Sequence, residues 1–350
     1  MTTLITGATG FVGSHVARLL AARGDPVRVL VRPSSRLAAL EGIPCECATG
    51  DLADPPSLEA ALRGVRRVFH VAADYRLWVR DPGEIYRSNV EGTRNLLSAA
   101  LEAGVDRFIY TSTVATVAVP AENGRLPDEF TSARLEQMIG HYKRSKFIAE
   151  QEVLEAAQEG APVVIVNPTT PVGPGDWKPT PTGRIILDFL NGRMPAFVDT
   201  GLNLVAVEDV AAGHLLAAER GTTGERYILG GRNMTLEEIL TELAWITGRP
   251  TPRVRLPHAV ALAAALADSA LCRALGREPH IPLDGVRMAR HRMFVDSSRA
   301  ERELGFHAGP IAAALERAIR WYQGHGYVRG CTVEPVAESQ QVPESRVRAA

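Results

Sequence analysis

Tyr142-Lys143-Arg144-Ser145-Lys146 is the stretch of this 350-residue chain whose residue types and spacing most plainly permit chemistry. A Tyr and a Lys four residues apart share one face of a helix. A phenol has an ordinary pKa of about 10 and is a poor base near neutrality. A neighbouring ammonium favours the phenolate and lowers that value, so Tyr142 and Lys146 are expected to move a proton together. The same lysine can hydrogen-bond a cofactor ribose. Upstream, Tyr110-Thr111-Ser112-Thr113 closes an apolar run. Hydroxyls at the carboxyl end of a central parallel strand face a ligand crevice. One of Ser112 and Thr113 would hold a substrate oxygen while Tyr142 exchanges its proton.

A second constellation tells what such a pair would work beside. Leu4-Ile5-Thr6 runs straight into Gly7-Ala8-Thr9-Gly10-Phe11-Val12-Gly13. Strand, glycine turn and helix in that order open a dinucleotide-binding βαβ unit. Gly7 permits the turn, Gly10 lets backbone approach a pyrophosphate, and Gly13 lets the helix pack close to the strand. The helix N-terminus favours the phosphates. An acidic residue ending the second strand would grip the ribose hydroxyls of NAD. Here that position reads Val31-Arg32-Pro33-Ser34-Ser35-Arg36, with no carboxylate. Arg32 and Arg36 can instead meet a 2′-phosphate through charge-assisted hydrogen bonds, which favours NADP. Solvated arginines and either NAD or NADP is the alternative.

The elements that must position these residues follow from periodicity. Leu4–Thr6, Val27–Val31, Val68–Val71, Phe108–Thr111 and Val163–Val166 read as buried strands. Helical patterns separate them at Val12–Ala22, Ser57–Leu62, Glu84–Glu102 and Ser132–Gln158. Such alternation predicts a doubly wound parallel sheet of the Rossmann type. After Pro168 prolines and glycines crowd the chain, and helices are expected near Glu208–Glu219, Thr235–Thr247 and Ile311–Gln323. The expected organisation is a dinucleotide domain over 1–167 with interleaved later segments, and a smaller C-terminal α/β substrate lobe over 168–327. From 328 the periodicity stops, and the polar end predicts a disordered tail.

Composition narrows the class. The chain is 45% hydrophobic and 23% charged, with a formal net charge of −1, so no basic excess argues for nucleic acid. Cys45, Cys47, Cys272 and Cys331 are few and scattered. Cys45-Glu46-Cys47 has the wrong spacing for zinc or a redox pair and reads as part of a strand. The histidines show no metal-ligand spacing, so no metal is expected. Nothing asks for disulfides, which fits a reducing cytoplasm. Ala259–Leu275 is an alanine-rich helix, too short and too interrupted by Asp268 and Arg273 to span a bilayer. It is expected as a buried or lid-forming helix, or as one that meets an apolar substrate or a membrane surface.

Taken in order, the motifs resemble the extended branch of the short-chain dehydrogenase/reductase superfamily across residues 1 to 325. The resemblance rests on Gly7–Gly13, Gly50-Asp51-Leu52, His70-Val71-Ala72-Ala73, Asn89–Thr93, Tyr110–Thr113, Tyr142–Lys146 and Asn167–Pro174. It implies a catalytic hydroxyl on Thr113 with Ser112 beside it. It also implies Asp51 and Leu52 at an adenine, Ala72 and Ala73 along the cofactor, Asn89 supporting the site, and Pro168 against a nicotinamide. Narrower stretches, Ala72–Trp78, Gly140–Lys146, Lys178–Arg184 and Asp199–Val205, are similar to the hopanoid-associated NAD(P)-dependent sugar epimerase family and to dihydroflavonol reductase-like proteins. Val164-Ile165-Val166-Asn167-Pro168 lies closer to the reductases of that group.

The resulting expectation is an NAD(P)-dependent oxidoreductase acting on a carbinol or carbonyl of a polyol, sugar or lipid-linked substrate. Candidate substrate contacts are Asp74, Tyr75, Arg76, Trp78, Tyr86, Lys178, Thr182 and Arg184. The alternatives are an epimerase that retains NAD, a non-catalytic dinucleotide sensor, and a membrane-peripheral scaffold. A homodimer is compatible with all of them.

Overall fold

A strand cannot satisfy its own backbone hydrogen bonds, and the β-branched runs of this chain satisfy theirs by pairing in parallel. The computed structural model describes residues 1–119, 124–275 and 277–328. The tail expected beyond Val328, with Cys331, lies outside the described residues. The strands are β1 (Thr2–Thr6), β2 (Val27–Val31), β3 (Glu46–Thr49), β4 (Val65–His70), β5 (Arg107–Thr111), β6 (Val163–Pro168), β7 (Thr170–Val172), β8 (Ala196–Val198), β9 (Gly201–Ala206), β10 (Arg226–Leu229), β11 (Arg232–Thr235) and β12 (Val254–Leu256). The helices are α1 (Phe11–Ala22), α2 (Pro55–Leu62), α3 (Gly83–Tyr86), α4 (Gly92–Glu102), α5 (Gly140–Gln158), α6 (Pro181–Leu190), α7 (Val207–Arg220), α8 (Leu236–Thr247), α9 (His258–Ala274), α10 (Leu283–Met288), α11 (Ser298–Leu304) and α12 (Ile311–Gly324).

Seven strands form one sheet in the order β10-β6-β5-β4-β1-β2-β3, and every neighbouring pair is parallel. The chain leaves β1 through β2 and β3 on one side and returns through β4 on the other. Ligands bind where the strand order reverses in this way, at the carboxyl ends. Ile5, Val29, Phe69, Ile109 and Val164 point to one face and pack beneath α1 and α7. Leu4, Leu30, Val68, Phe108 and Val163 point to the other, beneath α2, α4 and α5. Both faces are covered, so the strands are apolar throughout. Phe69 is fully buried, and its truncation to Ala would cost about 3–5 kcal/mol.

The later elements form a three-stranded sheet, β11-β9-β7, and a β12-β8 pair. Helices α6, α8 and α12 close over Val172, Ile186, Leu204, Leu240 and Leu315. A reciprocal Thr235–Glu238 cap starts α8, and Gly248 in the left-handed region stops it.

Several elements differ from the sequence expectation. Helix α5 begins at Gly140, and 132–139 is mostly extended, with a short 3₁₀ turn over Leu135–Gln137. Gly140 has φ of +81°, and a Cβ there would stand 2.6 Å from Asp284 Oδ2, so the helix starts from a position that suits glycine. The expected helix Glu84–Glu102 is divided by a π turn at Arg87–Glu91. Asn89 is buried in that turn and ties it to the Asp74 backbone, and π turns of this kind gather at functional sites. Helix α9 exists, but none of its residues lines the main cleft. It packs on α10, with Val260, Leu266 and Leu271 exposed. No helix among the described residues is long and apolar enough to cross a membrane.

Candidate active site

One cavity of about 1100 Å³ runs across the carboxyl ends of the central strands. At one end its wall is the turn between β1 and α1. Gly7 has φ of +71°, and a Cβ on it would stand 2.6 Å from the Ala72 backbone nitrogen. A Cβ on Gly13 would stand 2.2 Å from the Gly7 carbonyl oxygen. Backbone therefore fills the space that side chains would need. Gly10 caps α1 without a side-chain hydrogen bond, and no acidic residue occupies the first turn. The N–H groups of a helix start face an anion under those conditions. Thr9, Phe11 and Val12 line the same wall, with Leu30, Arg32, Ser35, Asp51, Leu52, Ala72 and Ala73 beyond it. A dinucleotide suits this half: a bare backbone cradle for a pyrophosphate and an apolar slot beside Leu30 and Leu52.

Arg36 is not part of that lining. Arg32 donates its backbone N–H to Ser35 Oγ at 3.0 Å, closing a turn. Arg36 lies beyond the turn and acts electrostatically on Tyr327 instead.

The middle of the cavity is lined by Ser112, Thr113, Tyr142 and Pro168. Thr113 lies two residues beyond the end of β5, caps the short 3₁₀ turn Val114–Thr116 and accepts a hydrogen bond from the Ala115 N–H at 3.2 Å, which fixes its side chain. Burial raises the Tyr142 pKa, and a hydrogen bond with the Thr113 hydroxyl partly opposes the rise. The lysine arrangement departs from expectation. Lys146 is 1% exposed and is absent from the cavity lining. Its ammonium donates to Tyr110 Oη and to the Thr111 carbonyl, both at 2.8 Å. Burial lowers its pKa to about 7, with Glu150 opposing. The lysine stem reaches beneath the end of β5, and its ammonium is taken up by Tyr110 and the Thr111 carbonyl. Tyr142 is a neutral phenol. Ser112 Oγ is buried without a hydrogen-bond partner.

A buried polar network locks α5 to the sheet. Glu150 is fully buried and pairs with Arg226 of β10 at 3.0 Å. Its other oxygen accepts from Thr116 Oγ1 at 2.8 Å and Asn167 Nδ2 at 2.9 Å. Asn167 also donates to the Thr113 carbonyl at 3.1 Å. Thr113 and the helix bearing Tyr142 are thus held by one set of bonds. Asn89 lies outside the cavity lining and bonds Ser145 Oγ at 3.0 Å, bracing α5 from the other side.

The far end of the cavity is lined by Asp74, Tyr75, Arg76, Lys178 and Thr182, and by Leu202, Met288, His291 and Met293. Asp74 is bound by Arg76; burial pushes its pKa up, but the Arg76 hydrogen bonds win and hold it low. Tyr75 Oη donates to the Lys178 carbonyl at 3.3 Å. Trp78, Tyr86 and Arg184 are outside the lining. Tyr86 Oη instead meets His141 Nδ1 at 3.2 Å on the exterior. Away from the cavity, Asp268, Cys272 and His280 come together at the end of α9, a grouping that sequence spacing did not suggest. They hydrogen-bond one another, and Asp268 also accepts from the Ile281 N–H.

Residues 3–230 match the model of the NAD dependent epimerase/dehydratase family. The chain belongs to that family. This is the extended short-chain dehydrogenase/reductase type, so the protein is an NAD(P)-dependent oxidoreductase or epimerase. A Synechocystis protein with the provisional name dihydroflavonol 4-reductase is 49% identical over 93% of this chain and 95% of its own length. Sterol demethylase protein B of Methylococcus capsulatus is 39% identical over 94% of this chain and 100% of its own. The crystal structure of a nucleoside-diphosphate-sugar epimerase from Pseudomonas aeruginosa superposes with a TM-score of 0.78 at 30% identity, covering 94% of this chain and 99% of that one.

For this epimerase/dehydratase family member, sequence reasoning missed Lys143, Glu150 and the Met288–Met293 wall. Glu150 lies four residues beyond Lys146 on the same helical face, a spacing that marks it. The methionine wall carries no local signal, because Met293 meets Lys143 only through the fold.

Proposed function

We propose that the protein is an NADP-preferring reductase or dehydrogenase of a carbonyl or carbinol group on an apolar substrate with polar substituents. Tyr142 and Thr113, together in the wall of a cavity that continues to the Gly7–Gly13 turn, carry this reading. When bound, the dinucleotide supplies or takes the hydride at the substrate carbon. The Thr113 hydroxyl, with Ser112 beside it, orients the substrate oxygen. Tyr142, kept neutral by burial, gives its proton to that oxygen as charge develops on it, and takes it back in the reverse direction. Lys146 holds Tyr110 and the end of β5, and so positions Thr113. Residues 1–167 with β10 form the dinucleotide domain, and residues 168–327 form mainly the substrate lobe, which meets Tyr75, Tyr142 and Lys143 across the cleft.

Arg32 and Ser35 at the adenine end, and the absence of a carboxylate after β2, support NADP. Leu202, Met288 and Met293 support an apolar substrate body, as does the relative named sterol demethylase protein B. A polycyclic triterpenoid of the hopanoid kind, or a polyol or sugar linked to one, fits that pattern. The exposed apolar side of α9 would then rest on the membrane that holds such a lipid. The relative that is a sugar epimerase favours a second reading, in which the same residues return hydride to the opposite face and NAD is retained. Denaturing the purified protein separates the two. Protein that releases no dinucleotide yet oxidises NADPH with a carbonyl substrate supports the reductase; stoichiometric release of NAD supports the epimerase.

A further inference from the structure

Of the 39 Lys and Arg residues only three are lysines, Lys143, Lys146 and Lys178. Two of them line the active-site cavity and the third lies directly beneath it. Everywhere else the chain meets its need for positive charge with arginine. An ammonium differs from a guanidinium in being a compact point charge whose protonation responds to burial. Lys146 has its oxygen partners. Lys143 does not. Its side chain is in the cavity wall and only 8% exposed. Among the described residues it has no carboxylate partner, and its ammonium contact is the Met293 thioether at 3.9 Å, a weak acceptor. A lysine of merely structural use would carry its head to water or to a carboxylate, since an unpaired buried ammonium is costly.

Position defines what the charge would meet. Lys143 follows Tyr142 on α5, so the two side chains diverge by about 100° around the helix. Tyr142 turns to Thr113, and Lys143 turns to Met293. Met293 is held in place by its N–H bond to the Gly201 carbonyl at 2.8 Å and its bridge to Leu202. That wall is mostly apolar, with Met288 and Leu202, and its other polar members are His291 and Thr200; it lies on the substrate side of the reacting centre, away from Arg32 and Asp51.

We propose that Lys143 is a substrate-recognition residue whose ammonium pairs with an oxyanion, a carboxylate or a phosphate, on the substrate. This rests on the oxidoreductase reading for the identity of the site, and it adds the substrate's charge. The substrate is then amphiphilic: an apolar body against Met288 and Leu202, a carbonyl or carbinol at Tyr142, and an anionic group at Lys143. In the free protein burial alone lowers the Lys143 pKa, to about 8. An anion seated beside it restores the charged form.

The scarcity of lysine makes a direct test clean. Reductive methylation with ¹³C-formaldehyde, in the full chain with NADP present, labels three lysines and the N-terminal amine. The Lys143 resonance is the one missing from Lys143→Arg. We expect saturating benzoate or inorganic phosphate to raise its titration midpoint by about one on the pH scale, a tenfold preference for the charged form. Benzyl alcohol should leave it in place. A rise with benzoate alone assigns a carboxylate, and a rise with phosphate alone a phosphate. No rise with either overturns the proposal. A second measurement compares NADPH-dependent reduction of 4-carboxybenzaldehyde with that of 4-methylbenzaldehyde. The kcat/KM preference for the acid should fall about tenfold or more in Lys143→Met, and a preference that survives intact overturns the proposal. The resonance needs no turnover. A rise without reduction of either aldehyde would therefore count against the oxidoreductase reading and leave the oxyanion site standing.

Discussion

The two ends of the cleft are walled by different materials. At the dinucleotide end the wall is backbone, and Gly7 and Gly13 leave no room for a Cβ against Ala72 and Gly7 itself. At the far end it is side chains, with Tyr75, Lys143, Leu202, Met288 and Met293 arriving from separate stretches of chain. A backbone wall fails at a single added carbon. A side-chain wall can be re-lined one residue at a time. The first end can therefore stay constant while the second changes substrate, and Tyr142 stands at their junction.

Changes at the junction should have the largest effect, because both ends converge there. Tyr142→Phe keeps the ring and removes the proton. Its kcat on a reducible carbonyl should fall by about 10²- to 10⁴-fold, with NADPH affinity unchanged; activity close to wild type would remove Tyr142 from the chemistry. Next comes Glu150→Gln, which leaves Arg226 without its buried partner. Breaking such a pair costs about 3 kcal/mol or more, measurable by urea denaturation. Loss of catalytic rate along with stability would show that the network sets the junction; unchanged stability would mean that Glu150 is dispensable.

Acid should loosen the dinucleotide end. His70 lies beneath it, bonded to Thr6 and Thr93. Burial lowers the His70 pKa to about 3, and that of His214 to about 4. The folded values lie below the unfolded one. Their contribution is thus fully present above pH ~6.5 and is lost as the pH falls through that value toward the folded ones. Each histidine should cost up to about 1.4 kcal/mol per pH unit in that window. Melting temperatures at pH 7 and 5 check this, and His70→Gln should flatten the slope. The smallest effect is expected from Arg32→Ala, which touches the dinucleotide end alone. The ratio of NADPH to NADH affinity should shift about tenfold toward NADH. An unchanged ratio would place Arg32 in solvent and favour NAD.

The same contrast explains what could be read in advance. Backbone requirements are local, so Gly7–Gly13 and the strand Val27–Val31 stand where their residues imply. Tyr142 and Thr113 are also legible, because strand ends and helical spacing bring them to the crevice. The direction of Lys146 is not legible. Sharing a helix face with Tyr142 puts the two near one another, but packing beneath β5 decides where the ammonium goes. Arg36, Tyr86 and Arg184 were plausible by type and neighbourhood, yet each sits just past a turn or on the outer side of its element. Lys143 is adjacent to Tyr142 in sequence, and only the distant Met293 wall reveals that its charge is enclosed.

Binding of NADPH followed by nicotinamide fluorescence tests the central claim most directly, because it requires no knowledge of the substrate. The expected result is saturable one-to-one binding that is kept in Tyr142→Phe and lost in Gly10→Val, with both variants folded by circular dichroism. Undiminished binding to folded Gly10→Val would contradict the claim and place the dinucleotide elsewhere.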